Sequence, residues 1–149
     1  MSTREDDGER RPAAYIAGAV VNIVMLWFVN AIPGWGWQFI TTDFPAVLWA
    51  LNLSLGVQIA GNALLVFIHP RPVHYLVQVL FNAVSILALV IMVTVYPFDL
   101  SSVLAGPVDM IARIVLYVAL GATILAAVVN AVKVLGSFFG GPFDRGANA

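Results

Sequence analysis

Residues 47–96 read VLWALNLSLGVQIAGNALLVFI-HPRP-VHYLVQVLFNAVSILALVIMVTVY, and this stretch decides the fold. Its two apolar runs, 47–68 and 73–96, contain no Asp, Glu, Lys or Arg. Only His69-Pro70-Arg71-Pro72 separates them. The hydrocarbon core of a bilayer is about 30 Å thick, which roughly 20 helical residues cross at about 1.5 Å each. Each run is therefore long enough to span, and so short a link makes the two spans antiparallel neighbours. Working outward, Ala13 to Ile32 repeats the pattern without a charge. Val108 to Val132 repeats it again, with Asp109 at its edge and Arg113 as the one charge inside it. Pro33-Gly34, Pro45, Pro97 and Gly106-Pro107 punctuate the gaps. Lipid gives a backbone no hydrogen-bond partner, so continuous apolar runs cross it as helices. Strands of a membrane barrel would be short and would alternate apolar with polar residues.

The fold class that follows is all-α, an antiparallel four-helix transmembrane bundle with spans at about 13–32, 47–68, 73–96 and 108–132. Residues 1–12 form a leader, 13–135 a single membrane domain and 136–149 a tail, with the leader and the end of the tail expected to be disordered. With 61% hydrophobic and 10% charged residues, the chain as a whole is outside the disordered class. A soluble helical protein would show a charged face on each helix, and these runs have none. The first run is longer than a signal-peptide core and no small-x-small cleavage site follows it, so it is expected to be retained. No cysteine is present, which excludes disulfides, thiolate metal sites and thiol redox chemistry in this chain. A net charge of -1 gives no support for nucleic-acid binding.

Orientation follows from the basic residues. Arg4, Arg10, Arg11, Arg71, Lys133 and Arg145, six of the seven, fall on the side of the N-terminus. The positive-inside rule reads that side as cytoplasm, so both termini are expected there. Trp27, Trp35, Trp37 and Trp49 lie at or near the opposite boundary, as an interfacial aromatic belt does.

Each span carries amides. At 100° per residue, Ser54, Gln58 and Asn62 share one face of the second span, with Asn52 beside them. His74, Gln78, Asn82 and Ser85 share a face of the third. Asn22 and Asn30 lie eight residues apart in the first span, with Gly18 on the same side, and Thr123 and Asn130 seven apart in the fourth. Amides turned to lipid would lose their hydrogen bonds, so these faces are expected to turn inward or onto a partner. Asn22, Gln58, Asn62, Gln78, Asn82 and Asn130 are the candidate polar lining of the interior. One reading makes them contacts between helices, and the other a cavity or path for a small uncharged ligand; the first is preferred because amides commonly pack membrane helices. Gly56, Ala60 and Gly61, and Gly121, Ala122, Ala126 and Ala127, permit close approach of a neighbouring helix or a second copy.

No Asp, Glu or Lys sits in the middle of a span, and amides do not titrate, so a proton relay is not expected. Asp109 and Arg113, at i and i+4, are a candidate ion pair at the boundary opposite the termini, with Tyr117 on the same stripe. Asp99 is placed to cap a short helix from Leu100 to Ala105. His69 and His74 share the short turn with no acid or thiol beside them, so they are read as boundary histidines rather than metal ligands.

Pro33-Gly34-Trp35, then Leu48 to Ser54 with Gly61-Asn62, then Tyr96-Pro97-Phe98-Asp99 together resemble small four-span prokaryotic integral membrane proteins of uncharacterised function. The resemblance covers mainly residues 33–99, implies a prokaryotic plasma membrane as the location, and brings no activity or cofactor with it. From the residues themselves, the expectation is a non-enzymatic, cofactor-free membrane protein that associates with itself or serves a larger membrane assembly. The alternative is a passive channel or carrier for a small uncharged solute or lipid through the amide-lined interior. A membrane enzyme ranks below both, because no nucleophile–base pair is buried and Asp43, Asp99 and Asp109 have no evident metal partner.

Overall fold

The computed structural model describes residues 6–68 and 71–139, and of 6–11, 71, 72 and 137–139 the backbone alone. Expectations about residues 1–5, His69, Arg145 and the tail past Phe139 fall outside the described residues.

Four helices follow one another: α1 (Asp6–Ala31), α2 (Phe44–Phe67), α3 (Arg71–Val95) and α4 (Val108–Phe139). They pack antiparallel, each against its neighbour in sequence. Each supplies a segment long and apolar enough to cross a membrane: Pro12–Trp35 (α1 with the turn that follows it), Phe44–Phe67, Val73–Val95 and Val108–Gly136. Their outward surfaces are apolar, with Trp27, Phe67, Val118 and Leu125 each well over half exposed. Across the most apolar stretch of α4 no residue is buried within the protein. So large an apolar exterior drives aggregation in water and matches a bilayer. The chain is a multi-pass integral membrane protein.

The helix bounds differ from the apolar runs where something other than hydropathy sets them. α1 starts at Asp6, inside the stretch expected to be disordered; acidic residues are favourable at a helix N-terminus. α2 starts at Phe44, one turn before Val47, with Pro45 in its first turn after Asp43. α4 continues past Val132 to Phe139, since no Pro follows before Pro142.

α2 holds more enclosed residues than any other helix. Phe44, Val47, Ala50, Ser54 and Leu65 are buried along it, flanked by α1 and α3. Gly61 lies on the α3 side, where a Cβ would run into the Phe81 ring and touch Val77 Cγ1 at 3.0 Å. Glycine here is a steric requirement for helix approach. Gly18 of α1 plays a milder version of the part, with Asn62 Nδ2 at 3.1 Å from where its Cβ would be.

At the end of the molecule bearing the tryptophans, the α1–α2 and α3–α4 connections join. Ile40 and Phe98 form an antiparallel bridge. Thr41 N donates to Pro97 O at 3.1 Å, and Asp99 N to Phe39 O at 2.9 Å. Ile32–Trp35 is a 3₁₀ turn that Gly36 ends at φ +64°. Around it, Trp35 meets Phe28 edge to face (5.1 Å between centroids) and lies tilted against Trp37 (4.7 Å), and Trp37 stacks on Phe39 at 5.2 Å. These contacts are worth about 0.5–1.5 kcal/mol each beyond the area they bury and firm the α1–α2 connection, while the backbone bonds tie it to the α3–α4 connection.

Candidate functional site

Between α2 and α3 the polar side chains form a small network. Gln58 Nε2 donates to Ser54 Oγ at 3.1 Å, one turn back, and across to Ser85 Oγ at 3.4 Å. Ser54 is buried. Asn82 lies three residues before Ser85, and its Nδ2 is buried without a hydrogen-bond partner. Of the six candidate lining residues, Gln58 alone makes a side-chain hydrogen bond across helices among the described residues. Asn62 packs instead against Gly18 of α1. Asn22, Gln78 and Asn130 are half-buried and make no side-chain hydrogen bond among the described residues. Thr123 turns its hydroxyl back onto Ala119 O at 2.8 Å and so contributes nothing across helices.

Between α1 and α2, Asn30 and Asn52 exchange two hydrogen bonds, Asn30 Nδ2 to Asn52 Oδ1 at 2.7 Å and Asn52 Nδ2 to Asn30 Oδ1 at 3.0 Å. The other Asn30 amide hydrogen goes to Leu26 O at 2.7 Å. Neither residue belongs to the candidate lining, although both were visible as amides within spans. What the sequence lacks is the relative height of α1 and α2, which alone brings positions 30 and 52 level. Another contact of this kind lies near the opposite end of the helices, where Tyr15 Oη and His74 Nδ1 are 3.1 Å apart with rings 6.0 Å between centroids.

Asp109 and Arg113 both join the loop at the tryptophan end, through Tyr96. α3 ends at Val95, and Tyr96 takes the left-handed conformation at φ +44°, which an L side chain adopts at a cost. Its side chain offsets that cost. The phenol donates to Asp109 O and Oδ1, each at 3.1 Å. The Arg113 guanidinium carbon sits 3.7 Å from the centre of the Tyr96 ring, a cation–π contact worth about 0.5–2 kcal/mol. Asp109 also accepts from Leu100 N at 2.9 Å and from Ser101 N at 3.3 Å. The carboxylate that caps the turn after Asp99 thus comes from α4. The turn itself is a three-residue 3₁₀ segment, Leu100–Ser102, rather than a helix to Ala105, and the Asp99 side chain accepts from Ser101 Oγ at 2.6 Å. Tyr117, on the same stripe of α4, is exposed and outside this group.

Compared with protein-family models, curated proteins and solved structures, the chain matches none.

Proposed function

We propose that this protein is non-enzymatic and works by association in the membrane, as a homo-oligomer or as an accessory subunit of a larger membrane assembly. The observation that carries this reading is how the polar groups are used. Asn30 with Asn52, Gln58 with Ser54 and Ser85, and Tyr15 with His74 are paired inside the chain, which is what helix packing requires. The packing order supports it as well. Contacts run from α1 to α2, α2 to α3 and α3 to α4, and no comparable contact between α1 and α4 closes the set among the described residues. A free flank on α1 and another on α4 are left for lipid or a neighbour. Gly121 faces open space on the α4 flank. No cofactor enters this reading, and the location is a prokaryotic plasma membrane with both termini in the cytoplasm. Native mass after mild extraction tests the assembly reading: a defined oligomer or a stoichiometric protein partner is expected, and a monodisperse lone protomer contradicts it. Because the chain has no cysteine, single cysteines introduced at Ser102 and Lys133 test orientation without background. Labelling of Ser102→Cys from outside intact cells, and of Lys133→Cys only after lysis, is expected.

One observation favours a passive carrier for a small uncharged solute or lipid. Asn82 Nδ2, one helical turn of α3 from Ser85, is buried with its donor capacity unspent. Solute flux through vesicles bearing the protein, compared with the Asn62→Leu/Asn82→Leu variant, tests it; flux that the folded variant retains rules it out.

A further inference from the structure

Arg113 lies five residues after the start of α4, about 8 Å along the helix axis. Helical side chains lean toward the N-terminus, so this one climbs toward the tryptophan end and meets the Tyr96 ring. The carboxylate best spaced to pair with it, Asp109, is already engaged by Tyr96 Oη, Leu100 N and Ser101 N. No ion pair reaches Arg113 among the described residues. A ring face offsets the positive charge but accepts none of the five guanidinium N–H donors in their plane. The side chain is exposed. At the boundary of an apolar span the plentiful acceptor is a lipid phosphate, which a guanidinium binds in a fork.

Charge narrows the headgroup. Asp109 is hydrogen-bonded to Tyr96, and the exposed Asp99 follows Tyr96 by three residues, with one carboxylate oxygen occupied by Ser101 Oγ. Two carboxylates against one guanidinium disfavour a further net negative charge. A zwitterionic headgroup avoids this, since its phosphate meets Arg113 while its ammonium meets Asp99. A primary ammonium has N–H donors for the carboxylate, whereas a quaternary one has none and would need an aromatic face, and Arg113 already covers that of Tyr96. We propose that Arg113, set over Tyr96 with Asp99 alongside, is a docking site for the headgroup of a zwitterionic phospholipid carrying a primary ammonium. The proposal does not rest on the assembly reading.

The test uses the full chain, freed of endogenous lipid in mild detergent. It is titrated with phosphatidylethanolamine, phosphatidylcholine and phosphatidylglycerol of identical acyl chains, and bound lipid is counted by native mass spectrometry. The ethanolamine lipid is expected to bind tightest and the glycerol lipid weakest, about tenfold apart, as one charge-assisted hydrogen-bonded contact provides. Arg113→Gln is expected to weaken ethanolamine-lipid binding by a similar factor, Arg113→Lys by less. Asp99→Asn is expected to erase the preference for ethanolamine over glycerol while retaining binding. If Arg113→Gln does not yield folded protein, Asp99→Asn, an exposed position, carries the test through headgroup preference alone. Equal binding of the three lipids, a preference for the glycerol lipid, or an unchanged order in Asp99→Asn overturns the proposal. So does displacement of the lipid by millimolar inorganic phosphate, which would assign the site to free phosphate.

Discussion

The carboxamides of Asn30 and Asn52 face each other across α1 and α2, each donating to the other, at 2.7 and 3.0 Å. Replacing either one by leucine leaves the other amide without its partner in an apolar setting. Asn30→Leu and Asn52→Leu are each expected to destabilise the protein by about 0.6–2 kcal/mol. The double substitution should cost clearly less than the two losses added, because the second change removes an amide that is already unpaired. Reversible unfolding in mixed micelles measures this. Strict additivity would mean that the two amides do not act as a unit.

Gly61 and Gly56 separate a steric role from a propensity effect on one helix. A Cβ at Gly61 would collide with the Phe81 ring, whereas at Gly56 it meets nothing within 4 Å. Gly61→Ala is expected to destabilise by about 1–3 kcal/mol through forced separation of α2 and α3. Gly56→Ala should be neutral or slightly stabilising, since alanine is the better helix former. Adding Phe81→Leu to Gly61→Ala should recover much of the loss. The same unfolding assay reads all three variants, and equal effects at the two glycines would show that Gly61 is not a packing position.

The four spans were legible because run length, absence of charge and Pro/Gly punctuation are local properties, and 47–68 and 73–96 carry all three. The faces of the helices were legible too: Ser54 and Gln58 do share a side of α2, and Ser85 does meet Gln58 from α3. What one chain's periodicity lacks is the height of each helix against its neighbour. That height pairs Asn30 with Asn52 and sets Asn62 against Gly18. Asp109 shows the other limit. Spacing alone put it with Arg113, four residues on, but the α3–α4 connection folds back and delivers Leu100 N, Ser101 N and Tyr96 Oη to its carboxylate. Loop geometry of this kind is non-local, and no spacing rule reaches it.

Tyr96 lies just beyond the spanning segment Val73–Val95. Burial, and next the hydrogen bond and charge of Asp109, push its phenol above the ordinary 10.0. The fold therefore favours the protonated form. Stability from this contact is full below the unfolded value, near pH 10, and is lost as pH rises through the higher folded value. Tyr96→Phe keeps the ring under Arg113 and removes only the hydroxyl, at a cost of about 1 kcal/mol near neutrality. Between about pH 9 and 11 the wild type should lose more melting temperature than Tyr96→Phe, so that the two curves converge. Parallel curves would remove Tyr96 as the group responsible.

Gln58, which is hydrogen-bonded, and Asn82, whose Nδ2 is not, should respond in opposite directions. Gln58→Leu withdraws the donor from the buried Ser54 and from Ser85, and a loss of about 1–2 kcal/mol is expected. Asn82→Leu removes an amide whose Nδ2 is buried and has no partner. Deleting an unsatisfied group returns its desolvation penalty, so this change is expected to be neutral or to stabilise by up to about 2 kcal/mol. Stability and solute flux should be measured together for both variants. A stabilised Asn82→Leu with unchanged flux is what a packing role for the neighbouring amides entails, since nothing then depends on the spare donor. A folded Asn82→Leu that loses flux would give the spare donor a ligand and move the weight to the carrier reading.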